Sequence, residues 1–499
     1  MAYKPQEISI RNFSGGIADS SRKASSTEFQ ITKHFDIHTD PQRLIPYRSL
    51  EADTETSVSS TDLKQYLVRD FLYHSASAKL FGLGQTGAGL TKIVQKADAT
   101  SGLWTLPATS EGNGAVKNGC FIEFKDYLWG FQGTTSLWKW LISTNTITNA
   151  TATVGSTITS VAQGVIASDA NLYLPYNNTL VRVAPGGTVS DAVISVPTQF
   201  KITSICNFGS NLAIAAAPIS SFNGVSKVFL WNLSSDLFYE TFELGEGDVR
   251  VIEQIDGALI CITDRYLNNS VGAGKGSMII QVFSGGVQVF KEIYTKALTS
   301  KDIPLSKAVK NNRLFFAAKI MTNSAGTNYD EGIWSFGRKN GSYPYALTLD
   351  IIDENIDTDG IQAFGLAGNY FFVAHSLDGS VDKTNDASTY AFTSIYESQI
   401  FDFGDPCLQK RIEKISIYTA PFPSTGSVTV KIKVDDDTSF TTVGSLSTEG
   451  AISRDFYNIE SSGTELPTFK EITIRLESVT GGAEVTGYKL RALPLDGSE

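Results

Sequence analysis

Between about residue 60 and residue 400, short apolar runs alternate with tight polar turns in a repeating order. Each copy has a short strand, a turn containing Asn, Asp or Gly, a strongly apolar strand and, after a variable loop, a third strand. One apolar residue per copy can serve as an anchor: Leu80, Leu128, Leu172, Leu212, Leu259, Leu314 and Phe371. The anchors lie 40 to 57 residues apart. That spacing is typical of the four-stranded blades of a β-propeller.

A short four-stranded antiparallel sheet buries its two faces only against other sheets, so repeated sheets of this kind are expected to stack around an axis. Seven anchors therefore predict a β-propeller of about seven blades over residues 59–400. A set of ordinary β-sandwiches, which also contain repeated hairpins, remains the alternative at this point. In either case the fold class is all-β.

The two flanks of the repeat region differ from it. Residues 1–58 begin with one strand ending near Phe13, and then have too few apolar positions to bury a core alone. We expect this N-terminal arm to pack on the main body or on a neighbouring subunit. Residues 401–499 contain runs with strict period-two alternation, such as 411–418 and 427–434. Such strands place one face in a core and one in solvent, which predicts a C-terminal β-sandwich.

Composition and charge narrow the functional classes. The chain carries 43 Gly and 15 Pro among 499 residues, a balance that suits many tight turns. Its net charge of −11 makes it a poor clamp for nucleic acid, but it suits a surface past which DNA slides without specific binding. Four dispersed cysteines, Cys120, Cys206, Cys261 and Cys407, predict reduced core thiols rather than a disulfide scaffold. The sequence has no signal peptide and no 18-residue apolar run, so we expect no membrane anchor and folding in a cytoplasm.

Motifs that carry chemistry are missing from the sequence. It has no phosphate-binding loop, no H-E-x-x-H and no G-x-S-x-G. The acidic run 435–437 could bind Ca²⁺, but its position between two strands favours a hairpin turn. His34 and His38, with Asp36 and Asp40, could also ligate a metal from a loop, but no cysteine accompanies them and a metal site is disfavoured. We therefore expect no enzyme activity, no catalytic residues, no cofactor and no metal.

Basic residues cluster in the N-terminal arm. Arg11, Arg22, Arg43 and Arg48 all fall within its 58 residues. One interpretation is that they form an interface with an acidic neighbour, and the other is a solvated flank. Both interpretations stay open from sequence alone.

The order of arm, long propeller and alternating C-terminal domain resembles the nozzle proteins of short-tailed bacteriophages, also called tail tubular proteins. The resemblance is carried by residues 8–17 (ISIRNFSGGI), 44–48 (LIPYR), 396–404 (YESQIFDFG), 469–476 (FKEITIRL) and 487–492 (GYKLRA). It implies a structural virion protein, six copies of which form a ring below the portal and adaptor and line the channel for genome exit. The implied partners are other copies of the chain, the portal, the adaptor and other tail proteins, and double-stranded DNA in transit. The implied location is the virion tail, after assembly in the host cytoplasm.

Three other functions remain open. A carbohydrate- or receptor-binding tail-tip propeller predicts a shallow pocket lined by aromatic side chains. A glycosidase or lyase on a propeller predicts a pair of carboxylates in a pocket, for which Asp264 and the pair Asp330-Glu331 are candidates, although solvated turn residues are the favoured interpretation. An intracellular scaffold propeller is the third.

Overall fold

A computed structural model of the 499-residue chain gives the fold. It describes residues 4–18, 27–53, 67–85, 91–97, 103–105, 111–112, 120–132, 135–219, 224–266, 276–295, 306–321, 329–352, 361–375, 381–384, 393–458, 465–479 and 481–495. Within these ranges every regular element is a β-strand, and no helix is present. The predicted all-β fold class is confirmed.

Within the described part of the N-terminal arm, six short strands precede the repeat region. They are β1 (Gln6–Ile10), β2 (Gly16–Ile17), β3 (Glu28–Lys33), β4 (Phe35–Asp36), β5 (Ile45–Pro46) and β6 (Leu50–Ala52).

Seven antiparallel sheet units follow, which we number blades 1 to 7 in chain order. Blade 1 has β7 (Leu67–His74), β8 (Lys79–Gln85), β9 (Thr91–Lys96), β10 (Trp104–Thr105) and β11 (Glu111–Gly112); blade 2 has β12 (Phe121–Phe124), β13 (Tyr127–Gln132), β14 (Ser136–Leu141) and β15 (Thr146–Thr153); blade 3 has β16 (Val165–Ile166), β17 (Leu172–Tyr176), β18 (Thr179–Val183) and β19 (Val189–Ser195). Blade 4 has β20 (Phe200–Phe208), β21 (Asn211–Pro218), β22 (Val225–Trp231) and β23 (Glu240–Glu246); blade 5 has β24 (Asp248–Ile255), β25 (Ala258–Tyr266), β26 (Gly276–Phe283) and β27 (Val287–Thr295). Blade 6 has β28 (Lys307–Lys310), β29 (Arg313–Met321), β30 (Tyr329–Gly337) and β31 (Ala346–Ile352), and blade 7 has β32 (Ile361–Ala367), β33 (Tyr370–His375) and β34 (Val381–Thr384), completed by β6.

The remaining strands form two C-terminal sheets with the help of the N-terminal arm. They are β35 (Ser394–Ser398), β36 (Lys410–Thr419), β37 (Ser427–Val434), β38 (Thr441–Leu446), β39 (Ser453–Tyr457), β40 (Thr468–Phe469), β41 (Ile472–Val479) and β42 (Val485–Pro494). One sheet has the order β1-β42-β36-β39, with β40 also paired to β36. The other has the order β3-β35-β41-β37-β38 and is continuous with blade 6 through the pairing of β3 with β31. Both sheets contribute side chains to one continuous hydrophobic cluster, which also includes residues of blades 5 and 6.

Hydrophobic clusters show how the blades bury their faces. The described residues contain seven such clusters, and each lies at one junction between consecutive blades, including the junction of blade 7 with blade 1. In blade 1, for example, Leu80 points into the cluster shared with blade 7, and the next residue, Phe81, points into the cluster shared with blade 2. Adjacent residues of a strand face opposite sides of its sheet, so one apolar strand serves both neighbours. The closed series of clusters identifies the repeat region as a seven-bladed propeller.

The predicted anchors all fall in equivalent positions. Each lies in the second strand of its blade, and all seven are buried: Leu80, Leu128, Leu172, Leu212, Leu259, Leu314 and Phe371. Two-residue turns join the first and second strands of several blades, at 125–126, 256–257 and 311–312. The six turn residues all have positive φ, as the favoured two-residue hairpin turns require. The predicted repeat of strand, tight turn and apolar strand is confirmed.

The N-terminal arm closes the ring of blades. Strand β6 pairs antiparallel with β34 and forms the outer strand of blade 7, while β32 of the same blade contacts β7 of blade 1. The last blade therefore combines strands from both ends of the propeller sequence. The predicted boundary at residue 58 falls after β6, which belongs structurally to the propeller.

The same arm joins the propeller to the C-terminal sheets. Strand β1 pairs with β42 over all five of its residues, and β3 lies between β31 of blade 6 and β35. The described parts of the arm thus pack on the body of their own chain. The predicted boundary at residue 400 falls after β35, a strand that belongs to the C-terminal sheets rather than to blade 7.

The cysteines follow the prediction only in part. Cys206 and Cys261 are buried, and burial raises the pKa of both thiols above the ordinary value. Cys120 is half-buried. The prediction was wrong for Cys407, which is exposed, because it lies in the turn before β36 rather than in a strand.

Candidate functional site

A buried polar cluster lies where the N-terminal arm meets blade 6. We call it the polar junction and define it by Asp36, His38, Tyr47, Arg313, Thr348 and Asp350. The arm supplies the first three residues, from β4 and the segments after β4 and β5, and blade 6 supplies the others, from β29 and β31. Five of the six are buried and Tyr47 is half-buried. Polar groups removed from water in this way need partners within the protein.

Arg313 is the centre of the polar junction. Its guanidinium donates to both carboxylate oxygens of Asp36, at 3.0 and 3.2 Å, and to the hydroxyl of Tyr47 at 3.0 Å. The Tyr47 hydroxyl in turn donates to Asp350 Oδ2 at 3.2 Å. The planar fork of arginine matches a carboxylate in two parallel bonds, which fixes the arm in one orientation on blade 6.

Hydroxyl groups complete the network on the blade side. Thr348 Oγ1 donates to Asp350 Oδ1 at 2.6 Å and lies 3.1 Å from Ser335 Oγ. His38 Nε2 lies 3.2 Å from the same Thr348 oxygen. Two contacts therefore link the arm to blade 6: Asp36 binds Arg313, and His38 contacts Thr348.

Burial sets the protonation states of these groups. Burial lowers the pKa of His38 to about 3, with a further contribution from Arg313, so the imidazole is neutral at pH 7. Burial raises the pKa of Asp350 to about 6 against the attraction of Arg313. Burial alone would raise the pKa of Asp36, but Arg313 and the hydrogen bonds from Thr39 hold it below the ordinary value. The junction thus holds one firm ion pair and one carboxyl group that titrates in mildly acidic solution.

A second buried cluster lies directly after β6, between blades 7 and 1. Lys96 Nζ donates to both carboxylate oxygens of Asp53, at 2.6 and 2.8 Å, and Trp104 Nε1 donates to Asp53 Oδ2 at 2.7 Å. The side chains of Asp53 and Lys96 are only 3% and 1% exposed. The Asp53 backbone N–H also bonds to Val381 O of blade 7, at 2.9 Å. We call this set the closure clamp, because Asp53 joins the last blade to β9 and β10 of the first.

Two surface cavities flank the polar junction. One of about 420 Å³ is lined by His38, Thr39, Asn311, Asn312, Arg313 and Lys339. The other, of about 390 Å³, has an aromatic wall of Tyr47, Tyr370 and Phe371. Asp36, Ile45, Pro46, Arg48, Asn369 and Thr384 complete its lining. Both volumes fall in the range of small-molecule sites.

The predicted basic interface residues are divided among different contacts. Arg11 stacks on Tyr418 of β36, with 4.6 Å from its guanidinium carbon to the ring centre. Arg43 forms ion pairs with Asp40 at 3.2 Å and with Glu484, just before β42, at 3.0 Å. Arg48 is half-buried in the wall of the second cavity. Arg22 lies outside the described residues.

Other candidate chemical residues have structural contacts. The Asp435 carboxylate accepts backbone N–H groups of residues 470 and 471, at 2.7 and 2.8 Å, in a turn as the sequence indicated. Asp264 accepts from Arg250 Nε at 2.9 Å. Within the described ranges no group of three or more His, Cys, Asp or Glu side chains could hold a metal ion.

Sequence reasoning missed both buried clusters. The sequence pattern marks Asp36 only as a possible metal ligand and gives no indication of a role for Asp53, Lys96 or Arg313. A usable signal was present in blade 6, because Asp350 interrupts the apolar run ALTLDII. A charged residue inside a buried strand requires a partner, although the sequence does not say which one.

Comparison with known proteins gives only distant structural likeness. No protein-family model and no curated protein sequence matches the chain. A catalytically inactive virginiamycin B lyase from Staphylococcus aureus is similar at 12% identity and a TM-score of 0.44, over 68% of this chain and 99% of that chain. The Cps50 (Swd1) β-propeller domain of Myceliophteria thermophila is similar at 10% identity and a TM-score of 0.40, over 64% and 96%. The N-terminal domain of Nup159 is similar at 9% identity and a TM-score of 0.40, over 74% and 98%. Likeness at this level carries no argument about function.

Among the described residues, no helix has the length and apolar character needed to cross a membrane.

Proposed function

We propose that this chain is a non-enzymatic structural subunit of a ring-shaped assembly, and specifically a nozzle subunit of a short-tailed bacteriophage tail. In this proposal copies of the chain, six in number, form a ring below the portal and adaptor. The ring lines the channel through which double-stranded DNA leaves the virion, without binding it specifically. Assembly takes place in the host cytoplasm.

One observation carries the proposal: the N-terminal arm joins the propeller and the C-terminal sheets into one body. Strand β6 closes blade 7, and β3 and β1 extend the two C-terminal sheets. A single hydrophobic cluster runs through the arm, blades 5 and 6 and both C-terminal sheets. A ring subunit must keep its shape while DNA passes through the channel, and a hydrophobic core shared by the arm, the propeller and the C-terminal sheets serves this need. Domains joined only by a linker would instead move relative to each other.

The charge of the chain also supports the proposal. At −11 per copy, a ring of six would carry about −66 charges, six times the value for one chain. Such a ring would repel the DNA backbone and leave it free to slide.

Mass measurement of the purified protein tests the proposal. Mass photometry and negative-stain microscopy should be done with the protein alone and with a portal–adaptor complex. We expect a ring of about six copies that binds the adaptor end of the complex. A protein that stays monomeric in both samples would contradict the proposal.

The second candidate function is binding of a carbohydrate or receptor at a tail tip. The second cavity favours it, because Tyr47, Tyr370 and Phe371 provide aromatic surface and Asn369 and Thr384 provide polar groups at one opening. Sugars bind to aromatic faces bordered by a few directed polar groups. Lys310 Nζ donates a hydrogen bond to Asn369 Oδ1 at 2.6 Å, which fixes the orientation of the Asn369 amide.

A glycan array followed by calorimetry separates the two candidates. The tail-tip function predicts saturable binding of a host glycan that falls at least tenfold in Tyr370→Ala, with the propeller still folded. Tyr239→Ala, at an exposed tyrosine of blade 4, is the matched control and should leave binding unchanged. Absence of binding to any glycan by the intact protein would reject this function.

A further inference from the structure

The sheet formed by β1, β42, β36 and β39 has an open edge on each side. Strand β1 pairs only with β42, and β39 pairs only with β36, among the described strands. Each edge strand has five residues. Open edges of this kind present unpaired backbone groups that can add a strand from another chain.

The strand directions allow the two edges to meet. All three pairings in the order β1-β42-β36-β39 are antiparallel, so β39 runs opposite to β1. In a ring of subunits whose β1 and β39 strands lie roughly along the ring axis, rotation from one copy to the next preserves the strand directions. The β1 strand of one copy would then lie antiparallel to the β39 strand of the next, and the alternation would continue across the boundary.

The side-chain rows also match. Ile8, Leu490, Ile415 and Phe456 are register partners across the four strands and form one apolar row on the core face. The neighbouring row lies on the opposite face. It consists of Ser9, Lys489, Ser416 and Asp455. A continued sheet would place Phe456 beside Ile8 of the next copy and Asp455 beside Ser9 of the next copy, which keeps the apolar face on the apolar side.

We propose that β39 of one copy pairs with β1 of the next, so that this sheet continues from subunit to subunit around the ring. The inference rests on the proposed ring function and names its contact. The two charges within β39 do not oppose the pairing, because both have partners in their own chain. Lys414 Nζ lies 3.0 Å from Asp455 Oδ2, and Arg454 donates to Ser445 O. Ile452, directly before β39, and Tyr457, its last residue, are 61% and 57% exposed and would be covered by the neighbour.

Cross-linking of paired cysteines tests the contact. The background is Cys407→Ser, which removes the exposed native thiol. The test variant adds Ser9→Cys and Asp455→Cys. Within one chain these positions are separated by three strand spacings, about 14 Å, so a bis-maleimide shorter than that distance can join them only between copies. The matched control is Ser9→Cys with Glu240→Cys, which places the second thiol on the outer strand of blade 4.

Assembly is measured in parallel by mass photometry. We expect the test variant to give a ladder of covalent multimers ending at the ring size on a denaturing gel, and the control to give monomer. A ring of normal mass without a ladder would overturn the pairing of β1 with β39 and leave the ring proposal standing. Absence of any ring in the unmodified protein would overturn both.

Discussion

Breaking the closure clamp should cost more stability than breaking any exposed ion pair of the propeller. In Asp53→Ala, the ammonium group of Lys96 loses two bonds of 2.6 and 2.8 Å and stays 1% exposed. Removing one partner of a buried pair costs about 3–5 kcal/mol, because the other charge is left without compensation. The lost acceptor of Trp104 Nε1 adds about 1 kcal/mol. We therefore expect a loss of roughly 4–6 kcal/mol in the free energy of unfolding.

Urea unfolding followed by circular dichroism and tryptophan fluorescence measures this loss. The matched control is Glu243→Ala, which removes the pair of Lys227 with Glu243 at 2.9 Å in blade 4. These side chains are 30% and 64% exposed, so the control should lose less than about 1 kcal/mol.

A rescue variant separates the buried charge from packing. Adding Lys96→Met to Asp53→Ala removes the uncompensated ammonium group and should recover part of the loss. If Asp53→Ala unfolds at the same urea concentration as Glu243→Ala, the closure clamp does not hold blade 7 against blade 1, and the reasoning is refuted.

Three further predictions concern other buried and exposed charges. Arg313→Met leaves Asp36 and Asp350 buried without their cation and should lower the free energy of unfolding in urea by about 3–5 kcal/mol. A change below about 1 kcal/mol would mean that the polar junction does not hold the arm on blade 6. Burial raises the pKa of Asp70 from 3.8 to about 7. This raised pKa stabilises the fold below about pH 4, and the contribution is lost as pH rises through 7, so thermal unfolding scans should show a steeper decline from about pH 4 to 7 in the wild type than in Asp70→Asn. Arg43→Ala removes two largely exposed ion pairs, with Asp40 and Glu484, and should change the free energy of unfolding by less than about 1 kcal/mol; a larger drop would show that Arg43 is structural, while a weaker subunit ring with unchanged unfolding would place it at an interface.

Much of the propeller could be predicted from sequence because its repeat is local. Each apolar strand must fill clusters on both of its faces, so anchors such as Leu212 and Leu314 recur at blade spacing. The tight turns at 256–257 and 311–312 are likewise predicted by the Asp, Gly and Asn residues that form them. The buried clusters are not local: Asp36 and Arg313 are 277 positions apart, and Asp53 and Lys96 are 43 apart. A single sequence gives no indication of such pairings.

The alternation of apolar and polar residues thus determined the all-β class, the propeller repeat and the positions of the strands that hold the seven anchors, because strand periodicity and turn chemistry act over a few residues. Only the tertiary structure decided where the N-terminal arm goes. Its strands are short and cannot bury a core by themselves, so their positions depend on edges that other parts of the chain leave open, at β34, β35 and β42. Those edges exist only after the propeller and the C-terminal sheets have formed.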